Sequence, residues 1–249
     1  MADTVEQRVA LVTGGAARVG KVIVRELAAH GYCVAIHANQ SLDRATEFAA
    51  ELNASGHEAA AFAAELRDED ATRAMIDRVC RHFGRLDLLV NNAAIWAPTP
   101  LADAAADDVR RFFEVNTVST FVCCQHAGLL MAIQPEGGAI INIGDWATVR
   151  PYRNYAPYFA SKGAIPTLTR AFAVELAPRV RVNAILPGPV MLPDELSPEV
   201  RERAIAGTLV RRAGRPEHVA QAVLFLAQND FVTGVCLPVD GGRSIGQVD

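Results

Sequence analysis

The stretch Val9-Ala-Leu-Val-Thr-Gly-Gly-Ala-Ala-Arg-Val-Gly20 decides the fold. Its first four residues are apolar and read as a short strand buried on both faces. Thr13 and two glycines follow, and residues 21–30 then carry Val22, Ile23, Leu27 and Ala28 in a helical pattern. Gly14 suits a tight turn between strand and helix, and Gly20 lets the helix pack close to the strand. Free backbone N–H groups at such a helix start suit a diphosphate. A dinucleotide contact is therefore expected at Gly14, Arg18, Val19 and Gly20. The spacing is TGxxxRxG, not GxGxxG, and Arg18 falls where an anion contact is favoured.

Outward from this unit, short β-rich runs alternate with helical ones. Strands are expected at 9–13, 33–37, 59–63, 86–91, 139–143, 181–185 and 235–239, and helices at 21–30, 42–55, 71–83, 107–131, 155–177 and 216–227. The alternation predicts one α/β domain over 1–249, a Rossmann-type three-layer sandwich with helices on both faces of a parallel sheet. The segment 187–207 contains PGPVMLPDELSP, too rich in proline for a helix there, and is expected to form a substrate loop.

With 24 Lys and Arg against 28 Asp and Glu, the net charge of -4 lacks the cationic excess that a nucleic acid would attract. The N-terminal residues do not read as a signal peptide, and no apolar run is long enough for a membrane span, so a cytoplasmic location is expected. Cys33, Cys80, Cys123, Cys124 and Cys236 form no CxxC and read as reduced thiols. The histidines have no metal-binding spacing, and no metal is expected.

The end of the second strand chooses the cofactor. An acid there would accept from the ribose 2′-OH and repel a 2′-phosphate. The chain instead has His37-Ala-Asn39-Gln40-Ser41, with donors at Asn39, Gln40 and Ser41 and some charge expected from His37. NADPH is the expected cofactor. Glu65 and Leu66 after the third strand are expected at the adenine, and Asn92 and Ala93 after the fourth are expected along the cofactor.

Tyr158 and Lys162 lie four apart, on one helix face. An ammonium beside the phenol would ease proton release. Asn116 is the candidate holder of a water or backbone group on a proton route to Lys162. TGGAARVG, NNAA, FEVN, YFASK, the PGPV turn and VDGG together resemble the short-chain dehydrogenase/reductase family over essentially the whole chain. The resemblance implies strand order 3-2-1-4-5-6-7, hydride transfer at nicotinamide C4, Tyr158 as acid/base, Lys162 on the nicotinamide ribose and Asn116 in a proton relay. It also implies cofactor contacts at Pro187 and Gly188, and a homotetramer packed through the two long central helices.

One position departs from the family. Thirteen residues before its tyrosine the family usually keeps a serine, and this chain has Asp145. Serine donates at any pH, an ionised aspartate only accepts, and a buried aspartate that keeps its proton is an acid. A nitrogen heterocycle with N–H groups and imine bonds has use for such a group. Asp145 with TGxxxRxG resembles the pteridine reductase branch, which implies a pterin held between nicotinamide and Trp96, with Arg18 serving both phosphate and substrate. That branch's second-strand arginine is missing. Reduction of a ketone or 3-oxoacyl group is the alternative, and a redox-sensing binder without turnover is the non-enzymatic one. Pro166, four residues beyond Lys162, is expected to kink the catalytic helix.

Overall fold

The computed structural model of the chain describes residues 7–192 and 197–246. The N-terminal leader reading and residues 193–196 of the expected substrate loop fall outside them. Seven strands form one parallel sheet: β1 (Val9–Val12), β2 (Cys33–Ala38), β3 (Ala59–Ala63), β4 (Leu88–Asn91), β5 (Gly138–Ile143), β6 (Val180–Pro187) and β7 (Cys236–Val239). Their order is β3-β2-β1-β4-β5-β6-β7, as the resemblance implied.

Strand side chains alternate between faces, so β1 feeds two cores at once. Ala10 and Val12 join the core under α1 (Arg18–Ala29), α2 (Leu42–Ala54) and α9 (Pro216–Gln228). Val9 and Leu11 join the core under α3 (Glu69–Phe83), α5 (Ser119–Ala132) and α7 (Ile165–Glu175). All four are essentially inaccessible. This is why the central strands read as unbroken apolar runs.

Three helical expectations need correction. The run 107–131 is α4 (Ala106–Phe113), then a π-helical turn Glu114–Val118, then α5. Such a turn carries one residue more than its α counterpart and re-aims its side chains; Asn116 sits in it, fully buried. The run 155–177 is split into α6 (Ala156–Gly163) and α7, with Pro166 in the first turn of α7, where its missing N–H costs no helical bond. Within 187–207, residues Pro198–Ala206 form a helix, α8. The Ser197 hydroxyl caps it, accepting from the Val200 N–H at 3.4 Å, and Pro198 occupies its first turn, so the helix begins where the proline-rich stretch ends and the loop is shorter than expected. Among the described residues no helix is long and apolar enough to cross a membrane.

Candidate active site

Strand order reverses between β1 and β4, and this opens a crevice at their carboxyl ends. Gly14 turns the chain there at φ +62°, and a Cβ on it would come within 3.2 Å of Ala93 Cα. Thr13 Oγ1 accepts from the N–H groups of Asn92 (2.9 Å) and Ala93 (3.0 Å), and Asn92 Nδ2 donates to the Thr13 carbonyl at 2.9 Å. Asn92 thus clamps the glycine turn. A Cβ on Gly20 would strike the Gly14 carbonyl, so the first turn of α1 packs directly on the turn.

The first turn of α1 has no capping side chain and no acidic residue. Its N–H groups and dipole are therefore free for an anion, which fits a dinucleotide diphosphate. Arg18 has φ +50°, unusual for a residue with a Cβ. Its Nη2 donates to the Met191 carbonyl at 3.3 Å, joining the glycine turn to the segment after β6. Val19 is half-buried against the α1 core. Gly188, following Pro187 at the end of β6, approaches β7 so closely that a Cβ would lie 2.5 Å from Asp240 Cα.

Two cofactor expectations change. His37 is not a phosphate-facing charge. It is buried, Nδ1 accepts from the Gly14 N–H (3.1 Å) and Nε2 faces the Ala64 carbonyl at 3.1 Å, so it bridges the ends of three strands as a neutral ring. Burial lowers its pKa and favours that form. Asn39 Nδ2 is already donating to Glu65 Oε2 at 3.0 Å. The same oxygen accepts from Arg67 Nη2 at 2.9 Å, and Glu65 Oε1 accepts from the Arg67 N–H at 3.1 Å. The Arg67 guanidinium holds the carboxyl at about 2. Arg67, two residues past Glu65, was not singled out in the sequence, and it places a cation beside the β2–α2 turn that lacks the branch's arginine. Gln40 is exposed, and Ser41 heads α2 without capping it, so both keep donors free. Leu66 is a core residue, 7% exposed.

Asp145 follows β5 and caps a short 3₁₀ turn, Trp146–Thr148, with Oδ1 accepting from the Ala147 N–H at 2.7 Å. Its Oδ2 accepts from the Tyr158 hydroxyl at 2.6 Å. Lys162, one turn along α6, donates from Nζ to the Ile143 carbonyl at 2.8 Å and is 4% exposed. Burial raises the Asp145 pKa, opposed chiefly by the Tyr158 hydrogen bond. Burial, then the Asp145 charge, pushes the Tyr158 phenol well above its ordinary value. The expectation that the ammonium eases proton release from Tyr158 is overturned here: the charge that acts on the phenol is the carboxylate it touches.

Asn116 lies at the centre of a clamp. Its Oδ1 accepts from the Ile95 N–H (2.9 Å), and its Nδ2 donates to the Ile95 carbonyl (3.1 Å) and to Ser161 Oγ (3.0 Å). Both amide hydrogens are engaged, so its side chain holds the loop after β4 against α6. Ser161, buried between Tyr158 and Lys162, donates to the Tyr158 carbonyl at 2.7 Å and is a positioning residue that the sequence reading missed. Its place inside YFASK was the available signal. Trp96 stacks on Tyr155, with ring centroids 4.8 Å apart and planes 16° off parallel, so one of its faces is already covered. The ring is 43% exposed.

Burial lowers the Lys162 pKa from 10.5 to about 8, with the Asp145 charge opposing. Between about pH 8 and 10.5 the unfolded chain keeps a proton that the folded protein releases. This group therefore costs stability below about pH 8, and the cost is relieved as pH rises through that window. Loss of the ammonium is expected to give kcat/KM a falling limb above about pH 8. Lys162→Arg should push that limb beyond reach, because a guanidinium stays charged; a pH profile in which the variant keeps the limb would assign it to another group.

A nucleotide crevice beside buried Tyr158 and Lys162, with half-buried Asp145 against the phenol, defines an oxidoreductase of the dinucleotide-binding class. A family model described as Enoyl-(Acyl carrier protein) reductase matches residues 15–244. The chain is 36% identical to the Cis-4-hydroxycyclohexanecarboxylate dehydrogenase of Sinomonas cyclohexanicum, over 97% of this chain and 98% of that one. It is 34% identical to the 3-oxoacyl-(acyl-carrier-protein) reductase FabG of Staphylococcus aureus, covering 94% and 96%. Among solved structures, FolM alternative dihydrofolate reductase 1 of Brucella suis, in complex with NADP, superposes with a TM-score of 0.89 at 33% identity, covering 99% and 98%. The chain belongs to the short-chain dehydrogenase/reductase family, and it is an NADP(H)-dependent oxidoreductase that reduces a small organic substrate.

Proposed function

We propose that the substrate is a pteridine of the dihydropterin or dihydrofolate type, reduced at a ring C=N bond. The observation that carries this reading is the 2.6 Å hydrogen bond from the Tyr158 hydroxyl to Asp145 Oδ2. A ketone oxygen needs donors, and an ionised carboxylate beside it would repel the charge that develops there. A pterin edge presents N–H groups that a carboxylate can accept and a ring nitrogen that a protonated carboxyl can donate to. The similarity to a FolM alternative dihydrofolate reductase supports the same reading.

The cofactor, held by the glycine turn and the first turn of α1, would supply a hydride to the carbon of the C=N unit. Tyr158 donates the matching proton to the adjoining nitrogen, so one C–H and one N–H bond form as the C=N double bond becomes single. Asp145 would orient the ring by accepting from its N–H groups, and the proton given up by Tyr158 is replaced from solvent. Lys162 offers positive charge on the same face of α6, while Asn116 and Ser161 fix the helix that carries both. Arg18, tied through Nη2 to the Met191 carbonyl, would offer its remaining N–H groups to the cofactor phosphates and the substrate edge. Trp96 offers its uncovered face to the flat ring.

The curated relatives weigh toward the second reading, reduction of a carbonyl. Those named above are a 3-oxoacyl reductase and a dehydrogenase of a hydroxycyclohexane acid, at 34% and 36% identity. Here a protonated Asp145 would have to act as a donor, like the serine it replaces. NADPH oxidation with dihydrobiopterin, dihydromonapterin and dihydrofolate, beside cyclic ketones and 3-oxoacyl thioesters, decides between them. Pteridine turnover is expected; brisk ketone reduction with no pteridine turnover would reject the first reading in favour of the second.

A further inference from the structure

We infer that the cleft next to Asp145 takes a carboxylate-bearing arm of the substrate, held by the guanidinium groups of Arg150 and Arg243. The inference deepens the proposed function and rests on Asp145 and Tyr158 being the reaction centre.

The cleft has a volume of about 390 Å³ and is lined by Trp146, Arg150, Pro151, Tyr152, Gly207 and Arg243. That is room for part of a small ligand, whose sites run to about 300–1,000 Å³. Trp146 connects it to the centre: it adjoins Asp145 in sequence and packs against the buried group containing Phe112, Tyr158 and Phe159. The Arg243 guanidinium lies over the indole, 4.8 Å from its ring centroid. Trp146 thus borders both the reaction centre and the cleft that holds the two cations.

Those cations are held without being neutralised. Arg150 Nη1 donates to the Gly246 carbonyl and, at 3.3 Å, to the Arg243 carbonyl. Arg243 Nη1 donates to the carbonyls of Ala204 (2.6 Å) and Arg203 (3.3 Å). Among the described residues neither forms an ion pair, and the Nε and Nη2 groups of both have no hydrogen-bond partner. The carboxylate of nearby Asp240 accepts instead from the N–H groups of Gly242 (2.8 Å) and Ser244 (2.7 Å). Burial, then the charge of Arg150, lowers the Arg243 pKa, so the pair repels itself. Both arginines line the cleft with Nε and Nη2 unpaired, donors that suit the planar, two-oxygen acceptor of a carboxylate. A purely structural pair tying down the chain after β7 would need the carbonyl contacts alone.

The test is binding to the NADP⁺-loaded protein, measured by calorimetry with two matched pairs: folate against biopterin, and 4-oxocyclohexanecarboxylate against its methyl ester. The charged member is expected to bind about tenfold or more tightly, an advantage that shrinks as salt is added. Arg150→Gln and Arg243→Gln, singly and together, should bring the charged-to-neutral ratio toward one, and Arg243→Lys should keep part of it. Arg150 is exposed, so its variant is informative even if Arg243→Gln disturbs the fold. A preference confined to the ketone pair would sustain the arginine site while removing the pteridine reading. Equal or undetectable binding within both pairs, or a preference that survives the double variant, overturns the inference.

Discussion

Tyr158→Phe is expected to lower kcat by about 10²–10⁴-fold, the range for a positioned general acid, with NADPH affinity unchanged. The ring itself is needed for packing: it meets Phe112 edge-on at 6.1 Å and Phe159 at 5.3 Å. Phenylalanine keeps those contacts and removes only the hydroxyl. The same change leaves Asp145 Oδ2 without its donor in a buried place, so the carboxyl should be harder still to ionise. Fluorescence titration with NADPH beside single-turnover kinetics separates the two effects. A variant within about tenfold of the parent kcat would remove Tyr158 from the role of acid.

The second large effect is expected at Asp145→Ser. Serine restores a pH-independent donor and removes a charge that acts on both neighbours. Pteridine reduction should fall by about 10²–10³-fold, the loss typical of one preorganised polar contact, while reduction of a carbonyl side substrate is retained or rises. The titration should shift as well. Asp145 raises the pKa of Tyr158 and supports the charge on Lys162, so its removal should lower both. The falling limb of the pH profile, expected above about 8 in the parent, should therefore move to lower pH. Equal losses on pteridine and carbonyl substrates would leave the carboxyl group with no selective role.

These two residues also show how far local reading reaches. Their thirteen-residue separation is visible in the sequence, and it marked Asp145 as the odd member of the site. What the spacing does not carry is direction: that the phenol donates to the carboxylate, and that its proton is therefore held more tightly. The ammonium four residues along the chain looked like the phenol's electrostatic partner, but in space the nearer charge is negative.

The seven strands and their alternation with helices were legible in residue order, β3 to its very ends at Ala59–Ala63. Strand burial and glycine turns are local properties, written in apolar runs and in positions where a Cβ does not fit. The split of the 155–177 run was foreshadowed by Pro166, and the π-helical turn was not, because its clamp joins Asn116 to Ile95 and Ser161, far apart in the chain. For the same reason His37 passed for a phosphate contact until the turn at Gly14 and the end of β3 closed on its two ring nitrogens. Trp96 passed for an open platform until Tyr155 stacked on it. Periodicity and turn chemistry belong to residue order because each is settled within a few neighbours. Protonation, hydrogen-bond direction and which cations stay unpaired depend on distances of a few ångströms between segments, and folding alone sets those.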